Sequence, residues 1–329
     1  MPTIFPSTYS TLSAPALAVL ITEKYGFGKV ECRFMVRGVG DTYEVKSVDS
    51  RFILRIYRST HRSYPEIEGE IELLLALKDA GVSVSYPIAD AAGNCIQAIA
   101  AAEGIRHAVL FSYAHGIAVN ILNEQQLCNL GYEMAKFHNV SSVISLTGKH
   151  RNFNLETTLF KPLQITEHAF AEYAEGFAWL LRAAKQVQHE LSGINTSAFS
   201  TGYCHFDFLP KNFHFEGDNI TLFDFDFFGY GWLVNDVMTF WQHLCLDVHV
   251  GRMTQQAADA AYDTFVNAYR KYRPLTEEEL AAVPYLSLGF WVFYLGFYDT
   301  HDQFFPLLQP SPLKMRVTLI KQLMERYWK

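Results

Sequence analysis

The chain is organised around residues 203–232, which read YCHFDFLPKNFHFEGDNITLFDFDFFGYGW. In this stretch His205, Asp207 and Asn212 are spaced as H-x-D-x-x-x-x-N, and an acidic pair follows at positions 224–226. A short run that alternates between two faces separates the two groups. Carboxylate oxygens can accept protons, and both carboxylate and amide oxygens can bind hard cations.

The order of these residues matches the chemical needs of phosphoryl transfer. That reaction requires one carboxylate to receive the proton of the substrate hydroxyl, and further oxygen ligands to hold magnesium on the nucleotide phosphates. Kinases supply these groups from a catalytic loop, H-R-D-x-x-x-x-N, followed by an aspartate in D-F-G. The pattern therefore favours a kinase-type site.

The run between the two groups predicts a β-hairpin. Phe213 to Glu216 has the composition of a strand, residues 217–219 (Gly-Asp-Asn) predict a three-residue turn, and Ile220 to Phe223 forms the returning strand. If the strands pair symmetrically about the turn, Asn212 lies opposite Asp224, and both can reach one magnesium ion. Acids and amides at hairpin ends also satisfy backbone groups without any catalytic role.

The same residues resemble the aminoglycoside phosphotransferase and choline kinase-like family, whose pattern is H-G-D-x-x-x-x-N followed by I-D-F/W-D/E. The resemblance implies that Asp207 is the catalytic base, that Asn212 and Asp224 bind magnesium, and that Asp226 is a second acidic ligand. Phe206 stands where the family has glycine, so the backbone beside the predicted base is expected to differ.

Composition sets broader limits. The 329 residues are 50% hydrophobic and 15% aromatic, which predicts a soluble globular chain divided into two domains. The five cysteines form no C-x-x-C pair, so we expect no disulfide framework or structural zinc and favour a reducing cytoplasm. The net charge of −7 argues against nucleic-acid binding and favours neutral or cationic substrates. The apolar residues 14–21 lack the flanks of a signal peptide or membrane span.

Near the N-terminus, the chain predicts a helix and then a sheet. The helix is expected over Pro15 to Tyr25, with Gly26 ending it. Three strands are expected over 31–36, 42–48 and 51–57. Gly38 and Gly40 lie in the turn between the first two strands, where they could close over phosphates or form a plain hairpin.

Arg55 lies in the third predicted strand, at the position where kinases place a cation for the nucleotide phosphates. Glu70, on a helix predicted from Pro65 to Ala80, is its family-matched partner. The alternative is that Arg55 lies on the open face of an edge strand. Arginine in place of lysine keeps the charge but changes the geometry.

Two further strands, over 95–100 and 106–113, complete a predicted five-stranded sheet. The last of them runs into Ala114-His115-Gly116, which in a kinase fold is the hinge whose backbone meets adenine. Phe111 and Tyr113 are accordingly predicted to bind the nucleotide. A buried terminal strand is compatible with the same sequence.

After Val119 the chain is predicted to be helical apart from the hairpin, with a loop over residues 141–163. His138 is expected to be a packed histidine at a helix end, and Asp236 to support a helix. One predicted helix begins at Asn123. Four further helices are predicted over Phe170 to Leu191, Thr254 to Tyr272, Thr276 to Tyr298 and Lys314 to Tyr327.

An aromatic face near the C-terminus suggests where an acceptor could bind. Trp291, Tyr294 and Tyr298 follow i, i+3, i+7 helical spacing, and Asp299 and Asp302 come directly after them. Rings beside carboxylates suit a cation that carries a hydroxyl, so cationic acceptors are expected to outperform anionic ones. Packing into the core is the alternative.

These observations together predict an α+β, bilobal, protein kinase-like fold. Residues 1–113 would form a nucleotide-binding lobe with a small antiparallel β-sheet, and residues 114–329 a mainly helical catalytic and substrate-binding lobe. The resemblance implies phosphorylation, with ATP and Mg²⁺, of an aminoglycoside, choline, homoserine or sugar-like hydroxyl. A catalytically silent nucleotide-binding scaffold and a protein Ser/Thr kinase are the alternatives, although no A-P-E segment follows residue 226. Oligomeric state is left open.

Overall fold

The computed structural model describes residues 5–328, which divide into two compact units. Among the described residues, the first unit comprises 5–115 together with 145–149 and 221–223, and the second comprises 116–144, 150–220 and 224–328. The units are therefore discontinuous in sequence, whereas the sequence analysis divides the chain at a single point after residue 113. The mixed α+β class and the antiparallel sheet in the first unit are confirmed.

The first unit begins with helix α1 (Ala14–Tyr25), as predicted. Ser13 caps its N-terminus by accepting a hydrogen bond from the Ala16 N–H, and Gly26 ends it in the left-handed conformation, with φ of 69°. The buried side chains of this helix pack against one face of the sheet.

The sheet of the first unit has six strands, one more than predicted. The strands are β1 (Glu31–Arg37), β2 (Asp41–Lys46), β3 (Arg51–Ile56), β4 (Pro87–Ile88), β5 (Ile96–Ala101) and β6 (Gly104–Ser112). They are antiparallel in the order β1-β2-β3-β6-β4, and β5 also pairs with β6. β4 was missed because a two-residue strand that starts at proline carries no alternating pattern.

Strand register determines which side chains share a face of this sheet. Leu54 of β3 lies opposite Leu110 of β6, and Arg55 lies opposite Val109. Because successive side chains of a strand point to opposite faces, Leu54 and Leu110 join the core under α1, and Arg55 points to the other face. Arg55 therefore stands within the sheet, between β2 and β6, and not on an edge strand.

Helix α2 (Tyr64–Asp79) follows β3 and carries the buried Glu70. Residues 145–149 belong to this unit because they pack closely against α2. A Cβ atom on Gly69 would lie 2.7 Å from the Lys149 carbonyl oxygen, so this approach requires glycine. The Glu72 carboxylate also accepts a hydrogen bond from the Thr147 N–H at 2.7 Å.

The second unit is mainly helical, as predicted. Its α-helices are α3 (Glu124–Ser141), α4 (Lys161–Thr166), α5 (Ala174–Ser192), α6 (Val234–His249), α7 (Gln255–Arg270), α8 (Glu277–Asp299) and α9 (Pro310–Tyr327). The prediction of a loop over 141–163 was wrong in its second half, where a π-helical turn (Glu156–Phe160) runs into α4. These elements are too short for periodicity to reveal, and Pro162 packs so closely on α8 that a Cβ on Gly296 would lie 2.8 Å from it.

A small three-stranded sheet in the second unit was also missed. It consists of β7 (Arg151–Asn152), β8 (Thr201–Cys204) and β11 (Gly229–Trp232), in the order β7-β11-β8. Gly229 pairs with Cys204 in antiparallel fashion, so the segment before His205 and the segment after Asp226 lie side by side. This sheet brings the two halves of the H-x-D and D-F-D motif together.

The predicted hairpin is present as β9 (Phe213–Glu216) and β10 (Asn219–Leu222). Its turn contains two residues, not three, and Gly217 adopts a left-handed φ of 62°. The symmetric pairing about a three-residue turn was therefore wrong. Asn212 lies in a 3₁₀ turn before β9, so the ladder count that placed it opposite Asp224 does not hold.

Helix α8 is long and apolar enough, by length and composition, to cross a membrane. However, 67% of its most apolar window is buried inside the protein. A buried helix with a capping box at Thr276 and Glu279 is typical of a core helix in a globular protein.

Candidate active site

The predicted catalytic loop is held by a carboxylate from α6. Asp236 is fully buried in the first turn of this helix. One of its oxygens accepts a hydrogen bond from the Phe206 N–H at 2.7 Å, and the other accepts one from the His205 N–H at 2.9 Å. Asp236 therefore fixes the backbone immediately before Asp207.

Phe206, at the position where the resembling family has glycine, has a φ of 63°. A bulky residue in this left-handed region is strained by about 1–3 kcal/mol. Its buried ring stacks on Phe153 with centroids 3.9 Å apart and makes an edge contact with Phe293 at 5.1 Å. A bulky residue thus occupies a left-handed backbone position, and its aromatic packing offsets the strain.

The Asp236 carboxylate is itself contacted by a histidine from α3. His138 is fully buried, with Nε2 3.0 Å from the Asp236 carboxylate and Nδ1 2.8 Å from the Tyr269 hydroxyl. Burial lowers the pKa of His138 although Asp236 opposes the shift, and burial raises the pKa of the Tyr269 hydroxyl. A neutral imidazole that donates to Asp236 and accepts from Tyr269 satisfies both contacts. The prediction of a packed structural histidine is consistent with this arrangement.

Asp207 is buried, and its two carboxylate oxygens differ. Oδ2 accepts a hydrogen bond from the Asn212 side-chain amide at 2.8 Å and lies 2.8 Å from the Lys211 ammonium. The same Asn212 amide donates to the Asp207 carbonyl at 2.8 Å. Oδ1 is buried and makes no hydrogen bond within residues 5–328. One oxygen therefore has two side-chain partners, while the buried other oxygen has no hydrogen-bond partner in the described residues.

Lys211 is a site residue that the sequence analysis missed. Burial acts to lower the pKa of its ammonium, but the neighbouring Asp207 carboxylate outweighs this effect, and the pKa is raised. Because the Lys211 side chain is 62% exposed, burial has a limited effect on its pKa, and the Asp207 carboxylate has the larger one. The i, i+4 spacing from Asp207 gave no signal for this contact, because residues 207–211 do not form an α-helix.

Tyr294 of α8 faces the same carboxylate. Burial, and after it the Asp207 carboxylate, raises the pKa of the Tyr294 hydroxyl well above its usual value. The hydroxyl is close enough to interact with Asp207 but makes no hydrogen bond of 3.5 Å or less in the part of the chain that the structure describes. Tyr294, singled out as part of an aromatic face, thus lies at the predicted base.

Asp224 and Asp226, the predicted acidic metal ligands, lie in the same unit as Asp207. Asp224 has a left-handed φ of 64°, which aspartate tolerates better than most residues, and its charge interacts with Lys211 and Tyr294. Asp226 is buried, and its carbonyl accepts a hydrogen bond from Arg151 at 2.7 Å.

The donor set fits magnesium. Residues 5–328 contain no group of three His, Cys, Asp or Glu side chains able to hold a metal by themselves. Magnesium usually takes only one or two carboxylates from protein and completes its shell with phosphate and water. Because the Asn212 amide nitrogen makes both contacts to Asp207, the side-chain oxygen of Asn212 is not used by them.

In the first unit, the buried Glu70 carboxylate contacts two side chains that follow β3 in the sequence. Its carboxylate accepts a hydrogen bond from the Tyr57 hydroxyl at 3.1 Å and lies 3.8 Å from the guanidinium of the buried Arg62. The Arg55 guanidinium lies 5.7 Å from the Tyr57 ring centroid. Arg62, which the sequence analysis did not select, is thus part of the environment of Glu70.

The remaining predicted nucleotide residues also lie in the first unit. The Gly38 N–H donates to the Gly40 carbonyl at 2.9 Å. A Cβ on Gly40 would lie 2.7 Å from the Ile56 carbonyl oxygen, so close packing alone explains this glycine. Phe111 is buried, and the half-buried Tyr113 ring lies 4.0 Å from the Arg51 guanidinium.

Residues 33–275 match the model of the phosphotransferase enzyme family. The chain belongs to this family. The match spans both the sheet of the first unit and the catalytic-loop motif of the second, so it covers every residue predicted for the site. The resemblance to the aminoglycoside phosphotransferases is confirmed, and with it the class of enzyme, a phosphotransferase that acts on hydroxyl groups.

Relatives of this phosphotransferase support the assignment. An uncharacterized protein of Deinococcus radiodurans is 32% identical over 294 residues, which cover 89% of this chain and 84% of the relative. The amicoumacin kinase of Bacillus subtilis is 28% identical over 219 residues, covering 65% of this chain and 63% of the relative. The structure of a microcompartment-associated aminopropanol kinase superposes with a TM-score of 0.74 at 22% identity, covering 95% of this chain and 97% of that one. This last likeness confirms the kinase-like fold.

Proposed function

We propose that this phosphotransferase uses ATP and Mg²⁺ to phosphorylate a hydroxyl of a small molecule. The proposal rests on the Asp207 carboxylate, which is held at Oδ2 by Asn212 and Lys211 and makes no hydrogen bond at Oδ1 within residues 5–328. A general base must be held in place and must also have an oxygen within reach of the proton that it removes. In this proposal Oδ1 of Asp207 receives the proton of the acceptor hydroxyl.

Asn212, Asp224 and Asp226 are the proposed magnesium ligands. A magnesium ion held by these residues would supply positive charge against the negative charge that develops during phosphoryl transfer. Within the chain, Asn212 has two roles, because its amide nitrogen orients Asp207 and its oxygen is left for the cation. Lys211 keeps a positive charge beside Asp207 and so favours the ionised carboxylate.

The first unit is proposed to bind the nucleotide. Arg55 would contact the phosphates, Glu70 would orient the cationic side chains around it, and the turn at Gly38 and Gly40 would cover the phosphates. Phe111 and Tyr113 would contact the adenine. The supporting observations are the burial of Glu70 beside Tyr57 and Arg62, and the position of Arg55 next to Tyr57.

The proposal also concerns the setting of the enzyme. The five cysteines lack paired spacing, which supports a reducing cytoplasm. The net charge of −7 makes nucleic acid an unfavourable partner. The acceptor is proposed to be a free small molecule.

The test is phosphate transfer from labelled ATP to a panel of hydroxylated metabolites and aminoglycosides. At least one small-molecule acceptor should be phosphorylated, and the reaction should require Mg²⁺. Asp207→Asn should retain nucleotide affinity and lose about 10²–10⁴-fold in turnover. Nucleotide binding without transfer to any acceptor would favour a silent scaffold, and transfer only to protein serine or threonine would favour a protein kinase. Near-normal turnover of the variant would rule out Asp207 as the base.

A further inference from the structure

Arg316 of α9 lies against the aromatic face of α8. Its guanidinium is 4.8 Å from the centroid of the Tyr298 ring and 5.9 Å from that of the Trp291 ring. One of its nitrogens also donates to the Tyr298 hydroxyl at 3.4 Å. The two rings that the sequence analysis assigned to a cationic acceptor therefore already contact a cation from the chain itself.

This arginine has no acidic partner in the part of the chain that the structure describes. Within residues 5–328, no carboxylate oxygen lies within 4.0 Å of its guanidinium. The side chain is half-buried, so part of its hydration shell is replaced by rings. A partly desolvated cation on an aromatic platform is stabilised further by an anion, and guanidinium binds carboxylates in a bidentate manner.

Arg316 is connected to the predicted base through two tyrosines. The Tyr294 hydroxyl faces the Asp207 carboxylate, and the Tyr298 hydroxyl accepts the hydrogen bond from Arg316. The rings of Tyr294 and Tyr298 lie 6.1 Å apart. Hydrogen-bond donors thus extend from the base towards Arg316.

The two acids that had suggested a cationic acceptor are otherwise engaged. The Asp299 carboxylate lies 3.1 Å from Nε2 of His168. Asp302 is exposed, and its carboxylate accepts a hydrogen bond from the Gln303 N–H at 2.8 Å. These contacts do not place either carboxylate on the aromatic face of α8, whereas the Arg316 guanidinium contacts two rings of that face.

We infer that the acceptor carries a carboxylate or a similar oxyanion near the hydroxyl that is phosphorylated, and that Arg316 binds this anion. The inference rests on the proposed function, because it places the acceptor hydroxyl at Oδ1 of Asp207. It replaces the expectation of a cationic acceptor that the sequence alone supported. The physical reason is that Arg316 of α9 already places a positive charge on the aromatic face of α8, where a cationic acceptor had been expected to bind.

The test uses three four-carbon alcohols that differ only in the group at the far end: 4-hydroxybutanoate, butane-1,4-diol and 4-aminobutan-1-ol. Dissociation constants are measured by calorimetry on the full chain with Mg²⁺ and a non-hydrolysable ATP analogue. We expect the acid to bind at least about tenfold more tightly than the diol and the amine, since a charge-assisted pair adds this much. Equal or tighter binding of the amine, or no measurable binding of the acid, would overturn the inference.

Arg316→Gln should weaken binding of the acid by at least about tenfold and change binding of the diol by less than about twofold. Arg316→Lys keeps the charge and should retain part of the affinity. Lys314→Gln is the matched control, because Lys314 is on the same helix but lies 5.9 Å from the Tyr173 ring, away from the face. Unchanged binding of the acid by Arg316→Gln would contradict the inference.

Failure of this inference and failure of the proposed function give different results. If the amine is bound and phosphorylated in preference to the acid, the enzyme is still a small-molecule kinase and only the role of Arg316 is wrong. If the acid binds through Arg316 and no alcohol is phosphorylated, the anion site stands and the kinase proposal fails.

Discussion

The Asp236 carboxylate accepts a hydrogen bond of 2.7 Å from the backbone N–H of Phe206, the residue whose φ is 63°. This contact joins the first turn of α6 to the most strained residue of the predicted catalytic loop. Because the second oxygen of the same carboxylate holds the His205 N–H at 2.9 Å, the loop cannot relax without breaking two buried hydrogen bonds. The position of Asp207 thus depends on a side chain that does not touch it.

Replacing Asp236 with asparagine should therefore reduce catalysis by displacing Asp207. One carboxylate oxygen becomes an amide that cannot accept a hydrogen bond, which leaves a buried donor unsatisfied and lowers the free energy of unfolding by about 1–3 kcal/mol. Turnover should fall while nucleotide affinity stays near normal. Denaturant unfolding and steady-state kinetics measure the two effects. Asp218→Asn, in the exposed hairpin turn, is the control, and an equal effect of both changes would contradict the role of Asp236.

Two substitutions at Phe206 should separate backbone strain from ring packing. Loss of the buried ring costs about 3–5 kcal/mol, and Phe206→Gly recovers about 1–3 kcal/mol of strain, so this variant should remain less stable than the parent. Phe206→Ala loses the same ring but keeps a side chain at positive φ. It should therefore be less stable than Phe206→Gly by about 1–2 kcal/mol. If alanine proves the more stable of the two, the left-handed backbone is not strained.

The lowered pKa of His138 makes the stability of the fold depend on pH. The unfolded chain binds a proton at this imidazole below its ordinary pKa of about 6.5, whereas the buried native imidazole stays neutral. Stability should therefore be complete above this value and fall as the pH decreases, by up to about 1.4 kcal/mol per unit from this one group. Denaturant unfolding between pH 5 and 8 measures the slope. His138→Gln should remove this share of it, and an unchanged slope would show that His138 titrates normally.

Lys211 should matter for turnover more than for stability. Its pair with Asp207 has one exposed partner, so Lys211→Gln should change the free energy of unfolding by less than about 1 kcal/mol. Turnover should fall by at least about tenfold, because a positive charge beside the base and the transferred phosphoryl group is lost. Lys211→Arg keeps the charge and should retain more activity. Turnover unaffected by both changes would exclude Lys211 from the reaction.

The proposed metal ligands can be tested without disturbing the turn at Asp224. Asparagine tolerates the left-handed backbone at this position, so Asp224→Asn removes the charge and keeps the conformation. It should raise the Mg²⁺ concentration needed for activity, and Asn212→Ala should do so to a smaller extent. Titration of activity with Mg²⁺ measures both effects. If neither variant shifts the metal dependence, these residues do not bind magnesium.

The parts of the fold that sequence predicted well are those with local signals. Ser13 and Gly26 bound α1, and Asn123 and Thr276 begin α3 and α8 through capping boxes. Such signals act within a few residues and do not depend on the rest of the chain. Very short strands, such as β4 and β7, lack them, because their hydrogen bonds come from strands far away in sequence.

The candidate site shows the same division between local pattern and distant packing. The H-x-D-x-x-x-x-N spacing identified Asp207 and Asn212, and the structure joins these two side chains by a hydrogen bond of 2.8 Å. Lys211 was missed because residues 207–211 form no α-helix, so its i, i+4 spacing from Asp207 carried no signal. Arg62 was missed because no sequence pattern marks its contact with Glu70, at 3.8 Å.

By itself, the sequence determined the kinase-like class of this protein, the order of its catalytic motif and the helices that have capping residues. Only the tertiary structure decided the left-handed turn at Phe206, its attachment to Asp236 and the position of Arg316 on the aromatic face of α8. The physical reason is that each of these features is a contact between segments distant in sequence. Periodicity records which face of an element is apolar, and packing alone decides which side chain covers it.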